Sequence, residues 1–289
     1  MMRALRPEMY PGQHVLSGMR HDLDRAFLHL DFGRAYTWPA SPQIHDMWVR
    51  GLPVDLSLLL GGFAIGIAGG VGLGIVCATW PRSLFSRVLE AGAMVAYCAP
   101  VYSVGMAMLL LFNPTFGIWH APAFFEASNT WAGPFDAPWD WLRTLLVPWL
   151  LLAAPLGAAC LRLTAALTVD ELESDHVRAA WAKGLTRRRI VRRHAARATY
   201  PSITSVVWTL IPAAVTNVVL IEWLYSMPGF FSNTKRALGQ EEPYTTPDIP
   251  MLQALALWGG LLIVVMSVLV DVALNMLDPR IRTAAGTSG

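Results

Sequence analysis

The sequence predicts an all-α membrane protein, built as a polytopic bundle of transmembrane helices. Of its 289 residues only 15% are charged and 54% are hydrophobic, whereas soluble domains carry about 25% charged residues. The apolar stretches must cross a bilayer as helices, because lipid offers the backbone no hydrogen-bond partners. A transmembrane β-barrel would require alternating strands of about ten residues, and the sequence contains no such alternation.

Five uncharged windows meet or approach the length of a membrane span. A bilayer core of about 30 Å takes about 20 apolar residues in a helix. The windows cover residues 56–80, 91–112, 144–161, 200–221 and 251–270. A proline frees a carbonyl and bends a helix, and prolines lie inside three windows: Pro100, Pro148, Pro155 and Pro212. We therefore expect five transmembrane helices, some of them bent.

The charges of the loops orient these spans. Residues 162–199 carry nine Lys or Arg, whereas residues 113–142 carry none. The positive-inside rule places residues 81–90, residues 162–199 and the C-terminal tail in the cytoplasm. The predicted organisation is an extracytoplasmic segment at 1–53, a transmembrane domain at 54–278 that includes the loop 162–199, and a cytoplasmic tail at 279–289.

A glycine stripe marks the first window. Gly62, Gly66, Gly70 and Gly74 recur every four residues, and such a stripe lets another helix approach closely. We expect packing inside this chain's own bundle; contact with a second membrane subunit is the alternative.

The basic loop TVDELESDHVRAAWAKGLTRRRIVRRHAARATYP predicts two short cytoplasmic helices that meet at Gly184. Acidic residues open the first helix, where the helix dipole favours them. Gly184 suits a helix end, and Thr186 can cap the second helix. The first helix presents small side chains that suit a groove on a partner protein. The second is basic and suits the anionic inner membrane surface. A positive-inside loop without a partner is the plainer alternative.

The loop resembles the EAA loop of ABC-transporter permease subunits, in the branch that imports dipeptides, oligopeptides or nickel. Residues 176–185, HVRAAWAKGL, match the family's xYVRTARAKGL, and residues 194–197 match its RHALR. Arg178 and Arg197 depart from the general EAA pattern as the peptide branch does. The resemblance assigns coupling to the ATPase to Asp175, His176, Val177, Arg178, Ala179, Ala180, Trp181, Ala182, Lys183, Gly184 and Leu185.

Further motifs follow in the family's order. Residues 222–230, EWLYSMPGF, resemble ETVFxxPGLG; residues 248–250, DIP, resemble DYP; residues 277–282 resemble the terminal LDPRIR. Residues 30–34, LDFGR, resemble an external GDLGxS element more loosely. The motif residues carried over are Glu222, Pro228, Gly229, Asp271, Asp278, Pro279 and Arg280. Asp271 lies near the end of the last window, where we expect it to pair within the bundle.

The resemblance implies a type I ABC importer permease in the bacterial cytoplasmic membrane. Its expected partners are a second homologous permease, two cytoplasmic ATPase subunits, an extracytoplasmic solute-binding protein and the lipid bilayer. No cofactor, metal or nucleic acid is expected. The chain has no phosphate-binding GxxxxGK[ST] sequence, so ATP hydrolysis is expected in the partner subunits.

The segment 222–250 is longer than the resemblance leads us to expect. We also expect the family's first span to be missing before the external segment. A start upstream of Met1, a truncated and inactive gene, and a topology that tolerates five spans are the competing explanations. Other functions remain as alternatives. A membrane enzyme is one, although neither an HExxH nor a GxSxG motif occurs. A nucleic-acid-binding Arg-rich helix is another.

Overall fold

The computed structural model describes residues 33–39, 41–112, 133–182, 184, 186–191, 199–243 and 245–277. Within these ranges the chain is helical, as predicted, with a 3-10 turn at Phe230–Asn233. The α-helices are α1 Ile44–Thr79, α2 Leu84–Cys98, α3 Val101–Phe112, α4 Pro138–Glu171, α5 Asp175–Ala182, α6 Arg187–Ile190, α7 Tyr200–Leu224, α8 Thr234–Ala237 and α9 Ile249–Leu277.

In the described part of the chain, four helices are long and apolar enough to cross a membrane: α1, α4, α7 and α9. The count reaches five if α2 and α3 together form one bent span. This agrees with the predicted polytopic bundle, whose second window, 91–112, corresponds to the bent pair. The angle between α2 and α3 is 104°.

The bend occurs where Pro100 predicts one. The preceding residue, Ala99, has ψ 127°, and its N–H still donates to the carbonyl of Val95. Proline pushes the residue before it into this extended conformation and cannot donate to the helix ladder itself. The helix therefore ends at Cys98 and restarts in a new direction at Val101.

The first helix begins twelve residues before the first predicted window. α1 starts at Ile44, whereas the window began at residue 56, after Asp55. Asp55 does not end the helix, and its side chain is fully buried. The proposed boundary between residues 53 and 54 consequently falls within α1.

The chain divides into two compact units, Met1–Arg50 with Asn233–Leu257 and Gly51–Ser232 with Trp258–Gly289. In the described residues of the first unit, Asp248 is buried at the start of α9. Its Oδ1 accepts the N–H of Met251 at 3.2 Å, as an N-cap does. Its Oδ2 accepts the N–H of Thr37 at 2.9 Å. The Arg236 guanidinium donates to the Thr37 carbonyl at 2.9 Å, so the DIP motif anchors this unit.

In the second unit, the glycine stripe of α1 packs against α4. Gly62 lies on Leu152 and Gly70 lies on Cys160; a Cβ on Gly70 would come within 2.7 Å of the Cβ of Cys160. The prediction of packing within the chain's own bundle is confirmed. α2 packs against another part of α4, where Ala93 joins Ala158, Leu161 and Ala165 in one buried cluster.

Candidate functional site: the basic loop and the Glu222 turn

The basic loop folds into two short helices that meet at Gly184. The N–H of Gly184 donates to the carbonyl of Trp181 at 2.9 Å. Gly184 has φ +76°, the left-handed conformation in which helices often end and which glycine adopts without a steric penalty. α6 follows Thr186, whose carbonyl accepts the N–H of Ile190 at 3.0 Å. The predicted turn is therefore present.

An apolar contact holds the two helices together. Val177 of α5 and Ile190 of α6 are both fully buried, and Leu172 packs against them. Helices of eight and four residues are marginal alone in water, so this buried contact stabilises both. Val177, which the resemblance assigns to coupling, faces the second helix and not the outside.

The outer side of α5 carries Arg178, Trp181 and Ala182. Trp181 is 42% exposed, and Ala182 is exposed as well. Arg178 pairs with Asp175 at 3.5 Å, with the two side chains 71% and 97% exposed, so solvent screens the pair and it stabilises the helix only slightly. The other predicted coupling residues lie outside the described part of the structure. They are Lys183 and Leu185 as whole residues, and His176, Ala179 and Ala180 by their side chains.

Glu222 lies at the end of α7 with its carboxyl against Gly229. It is fully buried, and the chain reverses after it, since the N–H of Met227 donates to the Glu222 carbonyl at 3.0 Å. Pro228 is exposed on this turn. A Cβ on Gly229 would overlap the Glu222 carboxyl. The motif's glycine is thus required for space.

The Glu222 carboxyl has an unusual environment. Among the residues that the structure describes, neither of its oxygens has a hydrogen bond of ordinary geometry. The Asp55 carboxyl and the backbone N–H groups of Phe231 and Ser232 lie beside it. Buried carboxyls are normally hydrogen-bonded, so this turn is a candidate functional site.

Asp55 completes the cluster. Its Oδ1 accepts the N–H of Phe230 at 2.9 Å, and its Oδ2 accepts the indole N–H of Trp258. One turn earlier, Gly51 leaves room for the same segment, because a Cβ there would lie 2.7 Å from the Cα of Phe230. Asp55 thereby joins α1, the turn after α7, and α9.

Sequence reasoning missed Asp55 as a site residue. A single acid in the otherwise uncharged stretch 51–80 is by default a functional candidate in a membrane segment. The charge of Asp55 was visible in the sequence, but it was used only to set the start of the first predicted window.

Asp271 pairs within the chain, as expected. Its Oδ1 accepts the indole N–H of Trp208 at 3.1 Å, which links α9 to α7. The remaining motif residues, Asp278, Pro279 and Arg280, lie outside the described part. Among the described residues, no group of three or more His, Cys, Asp or Glu is placed to hold a metal ion.

Comparison with known proteins identifies the family. Residues 70–283 match the family described as binding-protein-dependent transport system inner membrane component. The chain belongs to this family. It is therefore a multi-pass permease subunit of an ABC importer in the cytoplasmic membrane.

Individual relatives of the permease cover most of both chains. It is 29% identical to a putative peptide transport system permease protein of Brucella abortus over 257 residues, 88% of this chain and 76% of the relative. It is 25% identical to a dipeptide transport system permease protein of Bacillus subtilis over 258 residues, 89% and 77% of the two chains. It is 28% identical to an oligopeptide transport system permease protein of Mycobacterium bovis over 292 residues, 95% and 87% of the two chains.

Proposed function

We propose that this permease imports short peptides as one half of the membrane part of an ABC importer. The substrate class follows from relatives named for peptide, dipeptide and oligopeptide transport. In the proposed assembly a second, homologous permease completes the path and an extracytoplasmic solute-binding protein delivers the peptide. Two cytoplasmic ATPase subunits hydrolyse ATP, and this chain hydrolyses none.

Within the basic loop, residues 175–185 are proposed to couple this chain to an ATPase subunit. The packing of the loop supports this proposal. Val177 and Ile190 are buried inside the loop, while Trp181 and Ala182 are exposed on its outer side. A short helix with exposed small and aromatic side chains fits a groove on a partner. Because the buried contact joins α5 to α6, a displacement of α5 carries α6 with it.

The same assembly implies a topology. The proposal places 162–199 and the tail 279–289 in the cytoplasm and the N-terminal segment outside. The transmembrane domain is proposed to cover 54–278, and the helix that contains its first span, α1, begins before it at Ile44.

The test substitutes residues of the proposed coupling segment in the complete transporter. We expect Ala180→Trp to abolish the stimulation of ATPase activity by loaded binding protein and to lower peptide uptake by about tenfold or more, the equivalent of about 1.4 kcal/mol of docking free energy. The basal ATPase rate should persist. Gly184→Asp should uncouple the transporter in the same way. Uptake of a labelled dipeptide and phosphate release are measured on the same proteoliposomes.

The matched control is Glu173→Trp, which adds the same bulk at an exposed position before α5. It should leave stimulation and uptake unchanged. Normal transport with stimulated ATPase activity in Ala180→Trp would overturn the coupling proposal.

A further inference from the structure

An open cavity of about 920 Å³ lies beside the contact between α2 and α4. The contact itself is made by one face of each helix, with Ala93 of α2 against Leu161 and Ala165 of α4. The neighbouring faces turn towards the cavity. On α2 they carry Arg87, Glu90, Met94 and Tyr97 at helical spacing; the wall on α4 runs from Ala159 to Asp170. We call this space the α2–α4 cavity.

Four charged side chains line the α2–α4 cavity, one of each sign from each helix. α2 contributes Arg87 and Glu90, and α4 contributes Arg162 and Asp170. All four are exposed. In the part of the chain that the structure describes, none of them is joined to another by an ion pair, and none has a side-chain hydrogen bond. Both guanidinium groups and both carboxylates are therefore open to a ligand.

The rest of the wall is apolar. Ala91, Met94, Ala166 and Val169 lie between the charged positions. Small-molecule sites typically have about 300–1,000 Å³, mostly apolar walls and a few polar groups that orient the ligand. The α2–α4 cavity has all three properties.

The charge pattern selects the ligand. A guanidinium group binds a carboxylate through two parallel hydrogen bonds, and a carboxylate binds an ammonium group. The four groups carry no net formal charge, so a simple anion meets two carboxylates and a simple cation meets two guanidinium groups. A zwitterion satisfies both kinds of group at once.

We propose that the α2–α4 cavity binds a small zwitterion. The proposed ligand is a short peptide with free amino and carboxyl termini, and this choice of a peptide rests on the proposed function. The cavity is lined by Pro81 after α1, by Asp170 at the end of α4 and by Val206 near the start of α7. The proposed topology places all three at the cytoplasmic side. The site would therefore hold the peptide at the exit of the path.

The test measures binding to the purified full chain in phosphatidylcholine nanodiscs by equilibrium dialysis. The probes are L-alanyl-L-alanine, its N-acetyl and C-amide derivatives, and 6-aminohexanoate, a zwitterion without a peptide bond. We expect the free dipeptide to bind about tenfold or more tightly than either blocked form, because each blocked form loses one charge-assisted interaction.

Two substitutions on different helices test the site itself. Arg162→Gln and Glu90→Gln should each weaken dipeptide binding by about tenfold or more. Arg82→Gln and Glu173→Gln remove charges that do not line the cavity and should leave binding unchanged. Melting temperatures measured on the same samples show whether each variant is folded. If one cavity variant does not fold, the dipeptide affinity of the other still tests the site.

The outcomes separate the cavity from the proposed function. If 6-aminohexanoate binds with the same dependence on Arg162 and Glu90 but dipeptide uptake by the complete transporter does not depend on this chain, the cavity proposal stands and peptide import fails. If uptake depends on the chain but the cavity variants bind dipeptide like the wild type, the cavity proposal is overturned. Blocked dipeptides that bind as well as the free one would also overturn it. The cavity proposal would also be overturned if the purified chain retained phosphatidylglycerol in place of the dipeptide. In that case the amount of bound lipid would fall in Arg162→Gln and rise in Glu90→Gln.

Discussion

Two turns of the permease, one after α5 and one after α7, each contain a glycine that the sequence singles out. Gly184 has φ +76°, and an added Cβ would meet nothing within 4 Å. Gly229 has no such backbone conformation, but an added Cβ would overlap the buried Glu222 carboxyl. The first glycine is required by a dihedral angle and the second by a lack of space.

The difference predicts what each turn tolerates. Asparagine adopts the left-handed conformation more readily than other residues with a side chain, so the turn at Gly184 has a permitted substitute. No residue other than glycine fits the space at Gly229. The turn in the basic loop can therefore vary, while the Glu222 turn cannot.

The largest effect is expected at Gly229. Gly229→Ala inserts a methyl group into a packed site, which typically costs about 1–3 kcal/mol, and the crowded group is the buried Glu222 carboxyl. We expect the melting temperature of the detergent-solubilised chain to fall. It is measured by size-exclusion chromatography of samples heated to increasing temperatures. The control is Gly72→Ala, where an added Cβ meets nothing within 4 Å in α1. An unchanged melting temperature in Gly229→Ala would contradict the packing described here.

Asp55 should rank next. Asp55→Ala removes the acceptor for the Phe230 N–H and the Trp258 indole, and an unmet buried donor costs about 1–3 kcal/mol. Because Trp258→Phe removes one of those donors, we expect the double variant to lose less stability than the sum of the single variants. Melting temperatures of the three variants form the cycle. Strict additivity would show that Asp55 and Trp258 do not interact.

A smaller effect is expected at Gly184. Gly184→Val should cost about 1–2 kcal/mol, the penalty for a left-handed residue with a side chain, and β-branching makes it worse. Gly184→Asn should cost less. Hydrogen exchange of residues 175–191, measured by mass spectrometry, should rise in the valine variant and stay near wild type in the asparagine variant. Equal exchange in both variants would mean that the dihedral angle is not what this turn requires.

The smallest effect is expected at Arg178. Its pair with Asp175 is exposed at 3.5 Å, and such pairs typically contribute less than about 1 kcal/mol before screening. Arg178→Ala should leave the melting temperature unchanged at physiological salt. A salt-dependent loss of stability would show that the pair contributes more than its exposure implies.

Features with local causes could be predicted from the sequence. The helix end at Gly184 depends on residues within one turn, and the bend at Pro100 depends on one ring. The glycine stripe was visible because its period of four is a property of one helix. The fold class followed from the shortage of charge, which constrains the whole chain in the same way.

Features that depend on distant residues could not be predicted. Asp55 and Phe230 are 175 positions apart, so no window of sequence contains their contact. The burial of Val177 against Ile190 likewise depends on how α5 meets α6, whereas the family resemblance assigned Val177 to coupling. The α2–α4 cavity brings together charges of two helices that are unremarkable when each helix is considered alone.

The bend between α2 and α3 has a mechanical consequence for the permease in its bilayer. With 15 and 12 residues, these helices are about 22 Å and 18 Å long, so neither spans a hydrocarbon layer of about 30 Å by itself. A straight helix responds to a thinner or thicker membrane by tilting along its whole length. If α2 and α3 form one span, it can also respond by changing the angle at Ala99 and Pro100, which a straight helix cannot do.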